Sequence, residues 1–216
     1  MKENQDTVYI RGLISEGEHL HQDFKFAISD PRKIARSLSA FSNTKGGRLL
    51  VGVKDNGRIA GVDWEEEVYM IEAAAEMYCK PVVPLVNRRF RVEGKDVLEV
   101  YVAESDRKPV CALDESNRPW AYVRIADENI LASAVHLEIW KNAEVENAPR
   151  VVYTGEEKKL LEVLDREGKL TLNQCSRKSG LERRICTRLL ADFIRFELVE
   201  VVFVEHTFYF KLKDTD

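Results

Sequence analysis

At 216 residues, with 44% hydrophobic and 32% charged positions, the chain has the size and composition of one large or two small globular domains. Its net charge of −4 excludes a molecule that binds nucleic acid over its whole surface, so any such activity must sit on a local patch. The four cysteines, Cys79, Cys111, Cys175 and Cys186, form no Cys-x-x-Cys pair; this argues against structural zinc and fits reduced thiols. No apolar run approaches the ~20 residues of a membrane span, and the polar stretch Lys2–Asp6 carries no signal-peptide core. The expectation is a soluble, cytoplasmic protein without a membrane partner.

Residues 1–12 read as a polar lead-in. Residues 19–26 alternate, with Leu20, Phe24 and Phe26 on one face and His19, His21, Asp23 and Lys25 on the other, as in a half-buried strand. Asp30 and Pro31 then supply an N-cap and a first helical position for a helix that runs to about Thr44. Ile34, Leu38 and Phe41 sit at helical spacing, and Asn43, Gly46 and Gly47 stop the helix. Leu49, Leu50, Val51 and Val53 form a core strand, and Asp55-Asn56-Gly57 a tight turn into a second short strand.

Residues 64–79 read as an amphipathic helix with an acidic first turn, ended by Pro81 and Pro84. Strands are expected at 85–93 and 95–103, joined at Glu93-Gly94-Lys95, and a hairpin at 109–113 and 120–125. Residues 129–141 read as a closing helix, and 143–150 as a linker. Beyond it the pattern changes. Helices are expected over about 155–167, 171–178 and 182–196, followed by strands Leu198–Val204 and Thr207–Leu212 across Glu205-His206. Helix, helix, turn, helix, hairpin is the order of a winged helix-turn-helix. No internal repeat or low-complexity tract is found.

The central stretch resembles the DNA-binding domain of the Schlafen type, also called AlbA-like. That family reads approximately Glu-Ser-x-x-x-Glu-Phe-Lys, then Ala-Phe-Ala-Asn-Thr-x-Gly-Gly, then Leu-Leu-Ile-Gly-Val-x-Asp-x-Gly-x-Ile-x-Gly. The matches here are Glu18 with Asp23-Phe24-Lys25, then Ala40–Gly47, then Leu49–Gly61; Tyr122-Val123-Arg124 matches a later Tyr-x-Arg strand end. The resemblance covers roughly residues 12–135. It implies an α/β (α+β) AlbA/Schlafen-like N-terminal domain at 8–143, ahead of the winged helix-turn-helix at 150–213.

Three groups of residues carry candidate chemistry. In the tail, Arg177, Lys178, Arg183, Arg184, Thr187 and Arg188 occupy the turn and the amino-terminal exposed part of a recognition helix, while Ile185 and Leu189 point inward. Arginine can donate two bonds to guanine or clamp a phosphate. A solvated basic face used for protein contacts or dimerisation is the alternative. In the first domain, Arg48, Lys54, Arg58, Arg88, Arg89, Arg91, Arg107, Lys108 and Arg124 are candidates for a second basic surface, with Arg89 and Arg91 on one strand face.

The third group is Glu18, Asp23 and Asp55. In Schlafen-type ribonucleases the matching acids are thought to hold a divalent metal, and the resemblance implies a Mg²⁺ or Mn²⁺ site here under a ribonuclease reading. Convergence requires Glu18 to lie in the loop before the strand. The sequence departs from the family with Asp23 in place of Glu and His19 in place of Ser. His19, His21 and Asp23 share one strand face with transition-metal spacing, against an ordinary polar face.

Neither a phosphate-binding Gly-x-x-x-x-Gly-Lys-[Ser/Thr] nor a Gly-x-Gly-x-x-Gly is present, and an ATPase-like extension has no place within 216 residues. The leading expectation is a bacterial, cytoplasmic nucleic-acid-binding protein. It would be a homodimeric transcriptional regulator that meets duplex DNA and needs no cofactor. The alternatives are a metal-dependent ribonuclease and a protein-interaction module.

Overall fold

A computed structural model describes residues 5–143 and 155–214. The chain divides into two compact units between Leu131 and Ala132.

The first unit runs α1 (Gln5–Glu16), β1 (Gln22–Lys25), α2 (Pro31–Asn43), β2 (Gly47–Val51), α3 (Trp64–Met77) and β3 (Cys79–Lys80). It continues with β4 (Leu85–Val92), β5 (Lys95–Val102), β6 (Cys111–Leu113), β7 (Pro119–Ile125) and β8 (Glu128–Leu131). Its strands form two four-stranded sheets, β1-β2-β5-β4 and β3-β6-β7-β8. Only the β1–β2 pairing is parallel; β2–β5 and β5–β4 are antiparallel, as is the second sheet. The fold is therefore mixed α/β.

Helix α2 is the shared element. The Asp30 carboxylate accepts from Arg32 N at its start, and Pro31 opens the helix. Ile34, Ala35, Leu38 and Phe41 join Leu49, Val51, Leu98, Val100 and Val102 in one core, with Ile71 and Ala74 of α3. The helix ends in a tight passage. Gly46 has φ +67, and its N–H reaches Phe41 O at 2.9 Å. A Cβ on Gly47 would collide with the Phe41 ring, so the Gly-Gly pair follows from close packing as well as from the turn.

The other side of α2 is polar and buried, and it takes up the backbone of the second sheet. Asn43 Nδ2 donates to Val110 O (2.7 Å) and Tyr122 O (2.9 Å), and its Oδ1 accepts from Val110 N (2.8 Å). Ser39 Oγ donates to Val110 O and accepts from Tyr122 N. Thr44 Oγ1 accepts from Arg124 N, and Asn129 Nδ2 donates to Ser37 Oγ. The Asn-Thr pair of the motif is therefore a staple between helix and sheet.

Several expectations are corrected. The polar lead-in is the greater part of α1, whose Ile10 and Leu13 close over Phe24, Leu50, Val92 and Val97 on the outer face of the first sheet. Gly12 interrupts it, so the helix depends on packing against the sheet more than on propensity. The strand expected at 19–26 is shorter. His19 and Gln22 exchange backbone hydrogen bonds in a turn, and Phe26 is exposed. The short strand after the Asp55 turn is reduced to a bridge between Val53 and Ile59. Residues 128–131 are strand β8, paired with β7, because Asn129 is bound by Arg124 and Ser37. The hairpins at 93–95 and 113–119 form as expected, the first through Glu93 and Gly94 at positive φ.

The second unit contains α4 (Ala134–Ala143), α5 (Gly155–Glu167), α6 (Leu172–Ser179), α7 (Arg183–Arg195), β9 (Val199–Val204) and the antiparallel β10 (Thr207–Leu212). The expected boundary of 8–143 is corrected here. α4 belongs to this unit, because Val135 is buried with Leu160, Leu164, Leu189, Leu190 and Phe193. Nearly all of the expected linker, residues 144–150, lies outside the described residues. α6 begins with a capping box, Thr171 with Gln174, and ends at Gly180 with φ 70. Leu170 and Phe210 exchange backbone hydrogen bonds, tying the hairpin to the start of α6.

Replacing Asn43 by alanine leaves Val110 N–H and two carbonyls without these partners. Asn43→Ala is expected to destabilise the protein by about 2–4 kcal/mol, read as a lower urea midpoint.

Candidate nucleic-acid interface

Glu18 lies in the turn before β1, as convergence on Asp23 requires. Its Oε1 accepts from Phe24 N at 2.9 Å. Asp23 is buried on the strand, with Lys25 Nζ 2.8 Å and Arg124 Nη2 3.7 Å from its oxygens. Burial, together with a hydrogen bond to Asp23, pushes the Glu18 carboxyl from 4.5 up to about 7. Asp55 does not join them; it sits in the exposed turn closed by Gly57 N to Lys54 O. Among the described residues no group of three or more His, Cys, Asp or Glu side chains is placed to hold a metal ion. This corrects both metal expectations, the Glu18–Asp23–Asp55 set and the His19–His21–Asp23 face. A carboxylate flanked by lysine and arginine, beside a carboxyl that burial makes harder to ionise, does not fit Mg²⁺ or Mn²⁺. His21 instead places Nδ1 3.2 Å from Gly46 O, and His19 pairs with Glu16 at 3.5 Å.

Arg124 is corrected as a phosphate contact, because its side chain is 1% exposed. Nη2 donates to Gln22 O (3.1 Å) and Nη1 to Asn129 Oδ1 (2.9 Å), and the guanidinium lies 5.1 Å from the Phe41 ring centre. Arg89 and Arg91 share a face of β4 as alternation requires, but both turn to one carboxylate. Asp96 is 2.5 Å from Arg89 and 3.7 Å from Arg91. The Arg89 hydrogen bond holds the Asp96 carboxyl below its usual range. On the opposite face Arg48 and Arg88 flank Glu99, whose Oε1 accepts from Tyr9 Oη at 2.8 Å. Neither Glu99 nor Tyr9 was among the sequence candidates. The signal was a charged residue inside the apolar strand Val97–Val102.

In the second unit Arg183, Arg184 and Arg188 are exposed on the first turns of α7, and Arg177 and Lys178 are exposed at the end of α6. Arg183 Nε donates to Asn173 Oδ1 at 3.1 Å, Lys178 pairs with Glu167 at 2.6 Å, and Arg188 lies 3.6 Å from Glu156. Thr187 is corrected as a base-reading residue. It is buried, and its hydroxyl donates back to Arg183 O at 2.8 Å. An open groove of about 770 Å³ runs between α4 and α7, with Leu137, Glu138 and Lys141 on one wall and Arg183, Arg184 and Arg188 on the other. The cysteines offer no activated thiolate, since burial raises all four thiols, Cys79 and Cys175 to about 12.

The family profile described as "Schlafen, AlbA_2" matches residues 18–133, more than half of the chain. The chain belongs to this family. The Asn43–Thr44 staple, Gly46-Gly47 and the Glu18–Asp23 pair all lie within the matched span. Among solved structures, the chain is similar to the DIP2311 protein of Corynebacterium diphtheriae, at 19% identity and a TM-score of 0.46 over 88% of this chain and 34% of that one. It thus spans about a third of that protein's length. It is also similar to the N-terminal domain of a RecG-related protein from Nitrosomonas europaea, at 20% identity and a TM-score of 0.44, over 70% of this chain and 99% of that one. Among the described residues no helix is long and apolar enough to cross a membrane.

Glu18 has a pH consequence. Its folded-state value lies above its unfolded one, so the folded state holds the extra proton and loses stability as pH rises from about 4.5 to about 7. In Glu18→Gln this loss should be absent. Urea midpoints measured at about pH 5 and about pH 7.5 are expected to fall more in the parent protein than in the variant.

Proposed function

We propose that the chain is a cytoplasmic nucleic-acid-binding protein whose second unit is a winged helix-turn-helix for duplex DNA, serving transcriptional regulation as a homodimer. The observation that carries this reading is the exposed row Arg183, Arg184 and Arg188 on the amino-terminal turns of α7. Residues 180–182 join α7 to a capped α6, and β9–β10 follow as the wing. A helix entering the major groove presents its amino-terminal residues to base edges. Its unpaired N–H groups and dipole favour phosphate there. Arg184 makes no side-chain hydrogen bond or ion pair among the described residues, so it suits a guanine edge or a phosphate. Arg177 and Lys178 extend the positive surface onto α6.

Membership of the Schlafen AlbA_2 family supports nucleic acid as the partner class. The ribonuclease reading has less behind it, because Asp55 stands apart from Glu18 and Asp23.

The test is a titration of labelled duplex DNA and structured RNA, with and without Mn²⁺, scored for retardation and for strand breaks. Salt-sensitive retardation of intact duplex is expected. Arg184→Ala with Arg188→Ala should weaken it at least tenfold, while Asp55→Ala leaves it unchanged. Metal-dependent breaks lost in Asp55→Ala would sink the regulator in favour of the ribonuclease. Light scattering at micromolar concentration should report a dimer, and a monomer would remove the two-fold reading of half-sites.

A further inference from the structure

Helix α1 covers only part of the outer face of the first sheet. Ile10 and Leu13 close over Phe24, Leu50, Val92 and Val97. The cross-strand row Arg48–Tyr101–Val86, which spans β2, β5 and β4, remains open. Tyr101 and Val86 are 47% and 48% exposed. The next row on the same face places Glu99 between Leu50 and Arg88. Glu99 is buried and takes the Tyr9 hydroxyl, with Arg48 at 3.6 Å and Arg88 at 3.9 Å. Charge-assisted hydrogen bonds run at about 2.7–2.9 Å, so the carboxylate holds both guanidinium groups near Tyr101 without saturating their donors. Among the described residues neither guanidinium makes a hydrogen bond. One acid stands against two bases, a local positive excess on a chain of charge −4.

We infer that this row is a binding site for single-stranded nucleic acid. An unpaired base stacks on the Tyr101 ring, and Arg48 and Arg88 contact the flanking phosphates. An exposed aromatic ring on an open sheet, flanked by cations with free donors, suits a base whose π-face is accessible. In a duplex those faces are already stacked, so the Tyr101 row selects single strands. A protein partner fits less well, since arginines and a tyrosine surround one valine and leave little apolar area to bury. The inference extends the nucleic-acid reading to the first unit, but it rests on none of the α7 residues.

The experiment is an anisotropy titration of the full chain into fluorescein-labelled oligo(dT) and oligo(U), at low and at physiological salt. Tyr101→Ala is expected to weaken binding about tenfold or more, the loss of one stacked base. Tyr101→Phe should stay within about twofold. Arg48→Gln with Arg88→Gln should weaken binding and flatten its salt dependence, and this pair stands in if Tyr101→Ala does not fold. Arg184→Ala with Arg188→Ala should leave single-strand affinity within about twofold. Absence of single-strand binding, or equal affinity in Tyr101→Ala, overturns the site. So does loss confined to the α7 variant, which would place the strand on the second unit. Failure of duplex binding alone, with single-strand binding intact, overturns the regulator and supports this site.

Discussion

The first unit depends on a guanidinium with almost no access to water. Arg124 belongs to β7 of one sheet, yet its donors and charge reach Gln22 and Asp23 of β1 in the other, with Phe41 of α2 beneath it. A buried arginine without an acceptor and a counter-charge is strongly unfavourable, so its position requires β1, α2 and β7 to sit together. The polar side of α2 adds the same demand, because Ser39, Asn43 and Thr44 satisfy backbone groups of residues 110–124. The core of Leu38, Phe41, Leu49 and Leu98 supplies the driving force. The buried polar contacts select one arrangement of the two sheets around the helix.

Charge is distributed differently in the two units. In the first, arginines that look available in the sequence are engaged by carboxylates: Arg89 and Arg91 by Asp96, Arg124 by Asp23. Arg48 and Arg88 are the looser pair, held at longer range by Glu99. In the second, the arginines at the start of α7 stand on the surface, with α4 forming the far wall of their groove. A chain that is acidic overall can therefore offer nucleic acid a local positive surface.

The carboxylates of the motif show how geometry changes a reading. Glu18 and Asp23 do meet, because the turn His19–Gln22 folds Glu18 back onto the strand. Once they are together, burial and the contact with Asp23 raise the Glu18 carboxyl, while Lys25 and Arg124 face Asp23, so both acids are engaged within the fold. Asp55, four residues beyond the end of β2 and in a surface turn, has no reason to follow them.

Local chemistry was legible in the residues themselves. Asp30-Pro31 starts α2, Gly46-Gly47 ends it, Glu93-Gly94 turns a hairpin, and Thr171 with Gly180 brackets α6; each acts through neighbours only a few positions away. The order of helices and strands after residue 155 could be read for the same reason. Contacts from distant parts of the chain settled the rest. α1 becomes a helix because a sheet offers it an apolar face, and β8 is a strand because Asn129 meets Arg124 and Ser37. α4 leaves the first unit because Val135 has a core to enter in the second. Arginine and aspartate look alike along a sequence whether buried or free. Their burial and counter-charges depend on long-range packing, and so the assignment of Arg124, Arg89 and Thr187 to structure, and of Tyr101 to the surface, required the fold.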